Sequence, residues 1–366
     1  MYSSKERYWG TAAVVLLTAV ACSPRSGEGG ETGRIDTTSS NTSSDAPRTA
    51  AAPDQQMQAV LTQFDALNPK PIPQLSAGEA RKQPTPADAV KALLEKQGKS
   101  TAPEPVGNVT NRTIPGAGGP IPIRIYTPKG SGPFPVVVYY HGGGWVIADL
   151  DTYDASPRAL AKLANAVVVS AHYRQGPEHK FPAAHQDAFA AYRWVLANAE
   201  SLKGDPSKVA VAGESAGGNL AAAVAMMARD SGAQMPVHQV LVYPIAGYDF
   251  NTPSYQENAE AKPLNKPMMR WFFQNYLRSP ADGKSPLVDL VHADLQGLPP
   301  ATVITAQIDP LRSEGKALAE RLQSAGVQVD YKNYEGAAHE FFGMAAVVDG
   351  AKAAQEQAAA GLQKGF

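Results

Sequence analysis

Val209-Ala210-Val211-Ala212-Gly213-Glu214-Ser215-Ala216-Gly217-Gly218-Asn219 decides the fold. The first four residues read as a short buried strand, and Asn219–Asp230 reads as a helix. Between them, Gly213-x-Ser215-x-Gly217 puts one hydroxyl on the turn where strand gives way to helix. A serine on such a turn projects above the sheet. Its flanking glycines let neighbouring backbone pass closely, and the helix N-terminus behind it favours developing negative charge. Ser215 is therefore the candidate nucleophile. The plainer reading of the same five residues is a glycine-rich turn around a buried serine.

Seven further runs have strand character: 108–114, 121–126, 135–140, 167–172, 240–243, 302–306 and 328–334. Most are apolar without alternation, and helical stretches such as 183–200 separate them. That combination predicts an α/β fold, a mostly parallel eight-stranded sheet covered by helices on both faces. Upstream, Met57, Val60, Leu61, Phe64 and Leu67 recur at spacings of three and four, which predicts an amphipathic helix ended by Pro69 to Pro73. A second helix is expected over 85–97, where Thr85 and Asp88 form a capping-box start. These helices (53–105) and a long insertion at 246–285 are expected to form a helical cap over the C-terminal ends of the strands. The catalytic domain is then 106–366.

Two more stretches carry chemistry. His141-Gly142-Gly143-Gly144-Trp145 follows the strand ending at Tyr140, and glycine amides on such a loop can converge on one oxyanion. The amide of Ala216, next after the nucleophile, supplies a further donor. A phosphate loop is the rival reading, but its lysine and hydroxyl are missing. Of the histidines beyond Ser215, His238 and His292 precede strands. His339 follows the last one, at the sheet edge where α/β active sites form. The same rule favours Asp309 over Asp289, Asp294 and Asp330. The alternative for Asp309 is an N-cap of the helix after Pro310. Trp271, Phe272, Phe273, Tyr276 and Leu277 in the insertion read first as a helix packing face, and as a lining for an acyl pocket second.

Composition narrows the function classes. The 366 residues include 43% apolar side chains, enough for one large core. With 33 basic against 34 acidic residues, there is no basic excess to hold nucleic acid. None of the seven histidines stands with Cys or Glu at zinc-ligand spacing, so no metal is expected, and two-step acyl transfer on a serine calls for no organic cofactor. The single cysteine, Cys22, excludes an intrachain disulfide. It closes a leader in which Lys5 and Arg7 precede an apolar run at 11–21, too short for a membrane-spanning helix of about 20 residues. Ala19-Val20-Ala21-Cys22 resembles a lipoprotein cleavage box, and the other reading is an ordinary secretory leader cut after Ala-x-Ala. Residues 1–21 are thus expected to be removed, Cys22 to be lipidated and to attach the exported protein to a membrane, and 22–52 to act as a tether.

These blocks together resemble the hormone-sensitive-lipase-like branch of the α/β hydrolases, bacterial family IV. The resemblance spans roughly residues 106–350. It rests on His141 to Trp145, Gly213 to Asn219, Asp309-Pro310-Leu311-Arg312 with Glu314-Gly315, His339 with Phe341, and Tyr173-Arg174 with Pro177-Glu178-His179 and Phe181 to Ala184. It implies Ser215 as nucleophile, His339 as base, Asp309 as acid, the amides of Gly142, Gly143 and Ala216 as oxyanion hole, and a small acyl ester as substrate. An aryl amide, carbamate or formamide is the alternative substrate, and a catalytically silent binding lipoprotein the alternative class. There are three departures from the family pattern: Glu214 for Asp or Thr, Gln175-Gly176 for Leu-Ala, and Glu340 for Gly. Arg174, Glu178 and Asp187 are expected to form a polar network beneath the site loops.

Overall fold

The structure is a computed structural model that describes residues 51–366. The leader, Cys22 and nearly all of the expected tether lie outside the described residues.

Eight strands form one sheet: β1 (Asn108–Ile114), β2 (Ile121–Thr127), β3 (Phe134–Tyr140), β4 (Val167–Ala171), β5 (Gly204–Glu214), β6 (Gln239–Val242), β7 (Ala301–Ile308) and β8 (Val329–Ala338). Their order across the sheet is β1-β2-β4-β3-β5-β6-β7-β8. The pairs β1–β2 and β2–β4 are antiparallel and the remaining pairs are parallel. The α-helices among the described residues are α1 (Gln55–Ala66), α2 (Ala77–Ala80), α3 (Pro86–Lys96), α4 (Ala155–Leu163), α5 (Ala183–Asn198), α6 (Ala216–Ser231), α7 (Pro253–Glu257), α8 (Lys266–Tyr276), α9 (Arg312–Ser324) and α10 (Asp349–Gly365).

The central strands are apolar throughout because both of their faces are covered. In β3, Val136, Val138 and Tyr140 pack with α5 and α6, whereas Val137 and Tyr139 pack on the opposite face with α4 and α10. Helix α6 is buried along most of its length, and its alanines let it lie close beneath the sheet.

The sheet order positions the site. After β3 the chain crosses to β4 on one side and later returns to β5 on the other. β3 and β5 are therefore neighbours whose outgoing loops diverge at a topological switch point. Tyr140 pairs with Gly213 there, which sets the His141–Trp145 loop beside the Ser215 turn. At the other end of the sheet, Ile308 pairs with Ala338, so Asp309 and His339 leave adjacent strands side by side.

The N-terminal helices form where their caps sit. Asp54 caps α1, and Thr85 with Asp88 closes a reciprocal capping box on α3. Helix α2, which the sequence reading passed over, has its own box from Ser76 and Glu79. Apolar faces of α1 and α3 join the cluster that holds Phe341 and Phe342. The insertion meets the N-terminal segment in the other core cluster: the Trp271 indole of α8 donates to the Leu75 carbonyl at 3.1 Å. One expected boundary moves. Residues 335–338 are not a loop but the end of β8, because a register shift between Ala306 and Ile308 lets the pairing continue to Ala338.

Candidate active site

Ser215 stands at φ 56°, ψ −117°, between the last residue of β5 and the first of α6. A non-glycine residue rarely adopts such a backbone, and here surrounding contacts hold it. Its amide donates to the Val242 carbonyl at 2.9 Å, while its carbonyl accepts from Asn219 and Ile245, each at 3.1 Å. The flanking glycines are required by space: a Cβ on Gly217 would lie 1.9 Å from the Tyr140 carbonyl oxygen, and one on Gly213 would lie 2.1 Å from that of Gly217.

The structure brings Ser215, His339 and Asp309 into one line. His339 Nε2 is 3.1 Å from Ser215 Oγ, and Nδ1 is 2.7 Å from Asp309 Oδ2. All three residues are buried. Asp309 also serves the turn, since its Oδ1 accepts from the Leu311 amide at 2.8 Å. The N-cap reading does not hold: α9 starts at Arg312 with Leu311 as its N-cap, and Asp309 Oδ1 closes the turn before the helix instead. Burial alone would lower the imidazole pKa, but the Asp309 charge and hydrogen bond, with Glu340 and Glu214 nearby, raise it above its ordinary value. The other two candidates lie elsewhere. His238 is bonded to Thr302 at the opposite end of the sheet, and His292 is exposed and faces Asp289.

The His141–Trp145 loop is oriented through its carbonyls. The Tyr173 hydroxyl donates to the His141 and Gly142 carbonyls at 2.8 and 3.1 Å. In a trans peptide the N–H points away from the carbonyl of the same plane. The amides of Gly142 and Gly143 therefore face away from Tyr173. Among the described residues no acceptor is placed on either of them, nor on the Ala216 amide. Further along, Gln175 Nε2 donates to the Ile147 and Ala148 carbonyls, and Arg81 reaches the carbonyls of Val146 and Gly176. His141 is spent on structure. Its ring stacks on Tyr173 at 4.5 Å, and burial, with His172 beside it, holds its pKa down at about 3.

Sequence reasoning missed Arg81 and Tyr173 as organisers of this loop. Arg81 lies on an N-terminal segment with no periodic signal, and only the three-dimensional contact reveals it. The expected network of Arg174, Glu178 and Asp187 is only half correct. Arg174 grips the buried Asp187 with two nitrogens at 2.8 Å, but Glu178 turns outward to Arg81. The arginine 97 positions upstream offers it a bidentate partner at the surface, and Arg81 holds its carboxyl down at about 2.

The insertion aromatics are buried. Trp145 stacks on Tyr276 at 4.8 Å, and the Phe272 ring covers Gly144 so closely that a Cβ there would sit 2.2 Å from it. Helix α7 is fastened to the acid: the Ser254 hydroxyl donates to the Pro310 carbonyl at 2.6 Å.

Glu214 and Glu340 crowd the imidazole. The hydroxyls of Tyr139 and Tyr243 both donate to Glu214, and that of Tyr153 donates to Glu340 Oε1 at 2.6 Å. Burial, helped by the Glu340 charge, pushes the Glu214 carboxyl up to about 7. Glu340 itself stands in the left-handed region, φ 71°.

The chain is similar to known proteins in sequence and fold. Residues 137–343 match the family described as alpha/beta hydrolase fold. Carboxylesterase NlhH of Mycobacterium tuberculosis is 42% identical over 290 residues, which are 76% of this chain and 91% of that one. The ethyl acetate hydrolase of Pseudomonas putida is 33% identical over 76% of this chain and 87% of its own length. The esterase of Pyrobaculum calidifontis superposes with a TM-score of 0.75 at 40% identity, covering 83% of this chain and 97% of that one. With a shared architecture from β3 to the loop after β8 and such identity over three quarters of its length, the chain belongs to the α/β-hydrolase family, in its hormone-sensitive-lipase-like esterase branch.

Proposed function

We propose that this chain hydrolyses carboxylic esters of short to medium acyl length through an acyl-enzyme on Ser215. The observation that carries the reading is the continuous hydrogen-bonded line from Ser215 Oγ through His339 to Asp309, beside amides on which no acceptor is placed among the described residues. His339 Nε2 takes the hydroxyl proton as Oγ attacks the ester carbonyl, and Asp309 fixes the tautomer and stabilises the imidazolium. The amides of Gly142, Gly143 and Ala216 hold the oxyanion, each donor contributing roughly 3–4 kcal/mol to the transition state. His339 returns the proton to the departing alcohol, and water then releases the acid by the same steps. Aromatic closure by α8 over the oxyanion loop supports a small acyl site. So does the likeness to a relative named for ethyl acetate.

The test is a panel of p-nitrophenyl esters from acetate to palmitate, together with fluorophosphonate labelling. Wild-type protein labels and turns over fastest on the short to medium esters. Ser215→Ala does neither, and Asp309→Asn lowers kcat by about 10⁴-fold. Turnover by a folded Ser215→Ala protein would end this reading.

We further propose that residues 1–21 are an export leader, that Cys22 carries lipid and that the segment to about residue 52 tethers the catalytic domain to a membrane. The basis is the residue pattern around the single cysteine. Incorporation of labelled palmitate, abolished in Cys22→Ala, supports it, and unlabelled soluble protein from both forms refutes it.

A further inference from the structure

Three carboxyl groups converge on one imidazole. Asp309 Oδ2 lies 2.7 Å from His339 Nδ1, and Glu340 Oε1 lies 3.8 Å from Nε2, the nitrogen that faces Ser215. Glu214 is buried behind them under the hydroxyls of Tyr139 and Tyr243, and the Tyr243 ring sits 4.5 Å from that of His339. Among the described residues, no lysine or arginine forms an ion pair with any of the three. The site is therefore negative, and apolar walls concentrate its field.

The three acids differ in access. Asp309 and Glu214 are sealed, whereas the Glu340 side chain is 22% exposed. Tyr153 occupies its Oε1, and no donor among the described residues is placed on Oε2. The Tyr153 hydroxyl in turn lies against the oxyanion loop, 2.2 Å from where a Cβ on Gly142 would stand. Tyr153 thus links Glu340, which stands beside the base, to the oxyanion loop. Nε2 is the atom that hands a proton to the departing alcohol, so a carboxylate 3.8 Å from it borders the alcohol portion of the substrate.

We propose that Glu340 is a specificity-determining carboxylate that selects esters whose alcohol portion carries a positively charged nitrogen. This rests on the serine-esterase reading above. Attraction across a few ångströms of partly desolvated space lowers the barrier for a cationic alcohol relative to a neutral one of equal shape, and an anionic alcohol is repelled.

The experiment compares kcat/KM at pH 8 for choline butyrate and 3,3-dimethylbutyl butyrate. The two esters have nearly the same shape and differ in charge. Their ratio in Glu340→Gln reports the alcohols' intrinsic reactivities without the carboxylate. The expected result is a ratio in wild-type protein about tenfold higher than in Glu340→Gln, with Glu340→Gly matching the glutamine variant and added salt eroding the wild-type preference. Because each ratio is taken on one preparation, incomplete folding of a variant does not affect it. Equal ratios in wild type and Glu340→Gln overturn the proposal. If neither ester nor p-nitrophenyl butyrate is hydrolysed by wild-type protein, the serine-esterase reading itself fails.

Discussion

The Asp54 amide donates to the Gly336 carbonyl at 3.0 Å, which fastens the entry to α1 three residues ahead of His339. Gly336 stands at φ +68°, and a Cβ added there would meet the Asp54 Cβ at 2.8 Å. Gly336→Ala should therefore part the two segments and strain the turn, at roughly 1–2 kcal/mol. In calorimetry the Tm should fall by several degrees, and kcat on p-nitrophenyl butyrate should fall as well. A lowered Tm with unchanged kcat would show that the His339 loop does not depend on this attachment.

Arg81 ties the N-terminal segment to the loop that carries the oxyanion amides. It bonds the carbonyls of Val146 and Gly176 at 2.8 and 2.7 Å and meets Glu178 with both terminal nitrogens. Arg81→Ala leaves two carbonyls short of a charged donor, and about 1–3 kcal/mol of stability should be lost. The larger effect is expected on kcat, through misplaced amides, and Arg81→Lys should recover only part because it cannot fork. Steady-state kinetics beside a urea melt separates the two effects.

The raised pKa of His339 sets the sign of the pH response. The base must be neutral to accept the serine proton, so kcat/KM falls as pH drops through a value above 6.5. Glu340→Gln removes one of the charges that favour the imidazolium, and the acid limb should move to lower pH. As a linkage effect, the same raised value contributes stability in full below pH 6.5, and that contribution disappears as pH rises through it. A pH–rate profile with an unmoved limb in Glu340→Gln would show that this carboxylate does not act on the base.

Phe272 closes the space above Gly144. Phe272→Ala should admit longer acyl groups, shifting the preferred p-nitrophenyl ester upward by at least one two-carbon step, and cost about 3–5 kcal/mol. An unchanged chain-length optimum would place the acyl pocket elsewhere.

Much of this was legible in the chain because it is local. The eight strands, the serine turn, and the glycine loop after β3 are each specified within a dozen residues by apolar runs and glycines. Asp309 and His339 could be singled out because chemistry gathers at one edge of a parallel sheet. The rest depends on contacts distant in sequence. Glu178 chose Arg81 over Arg174, the Tyr173 hydroxyl selected the direction of two peptide planes, and β8 ran on to Ala338 only through a bulge at residues 335–337 of its own length. None of these leaves a periodic trace.

Glu340 keeps a left-handed backbone at φ 71° where a glycine would rest without strain. Glu340→Gly should therefore stabilise the fold by up to about 1 kcal/mol, visible as a raised Tm. Glutamate and glycine codons differ at a single base. A population selected for heat tolerance on a neutral ester would reach this change early, and the sequencing reads from such a selection would record how strongly the ordinary substrate of this enzyme holds the glutamate in place.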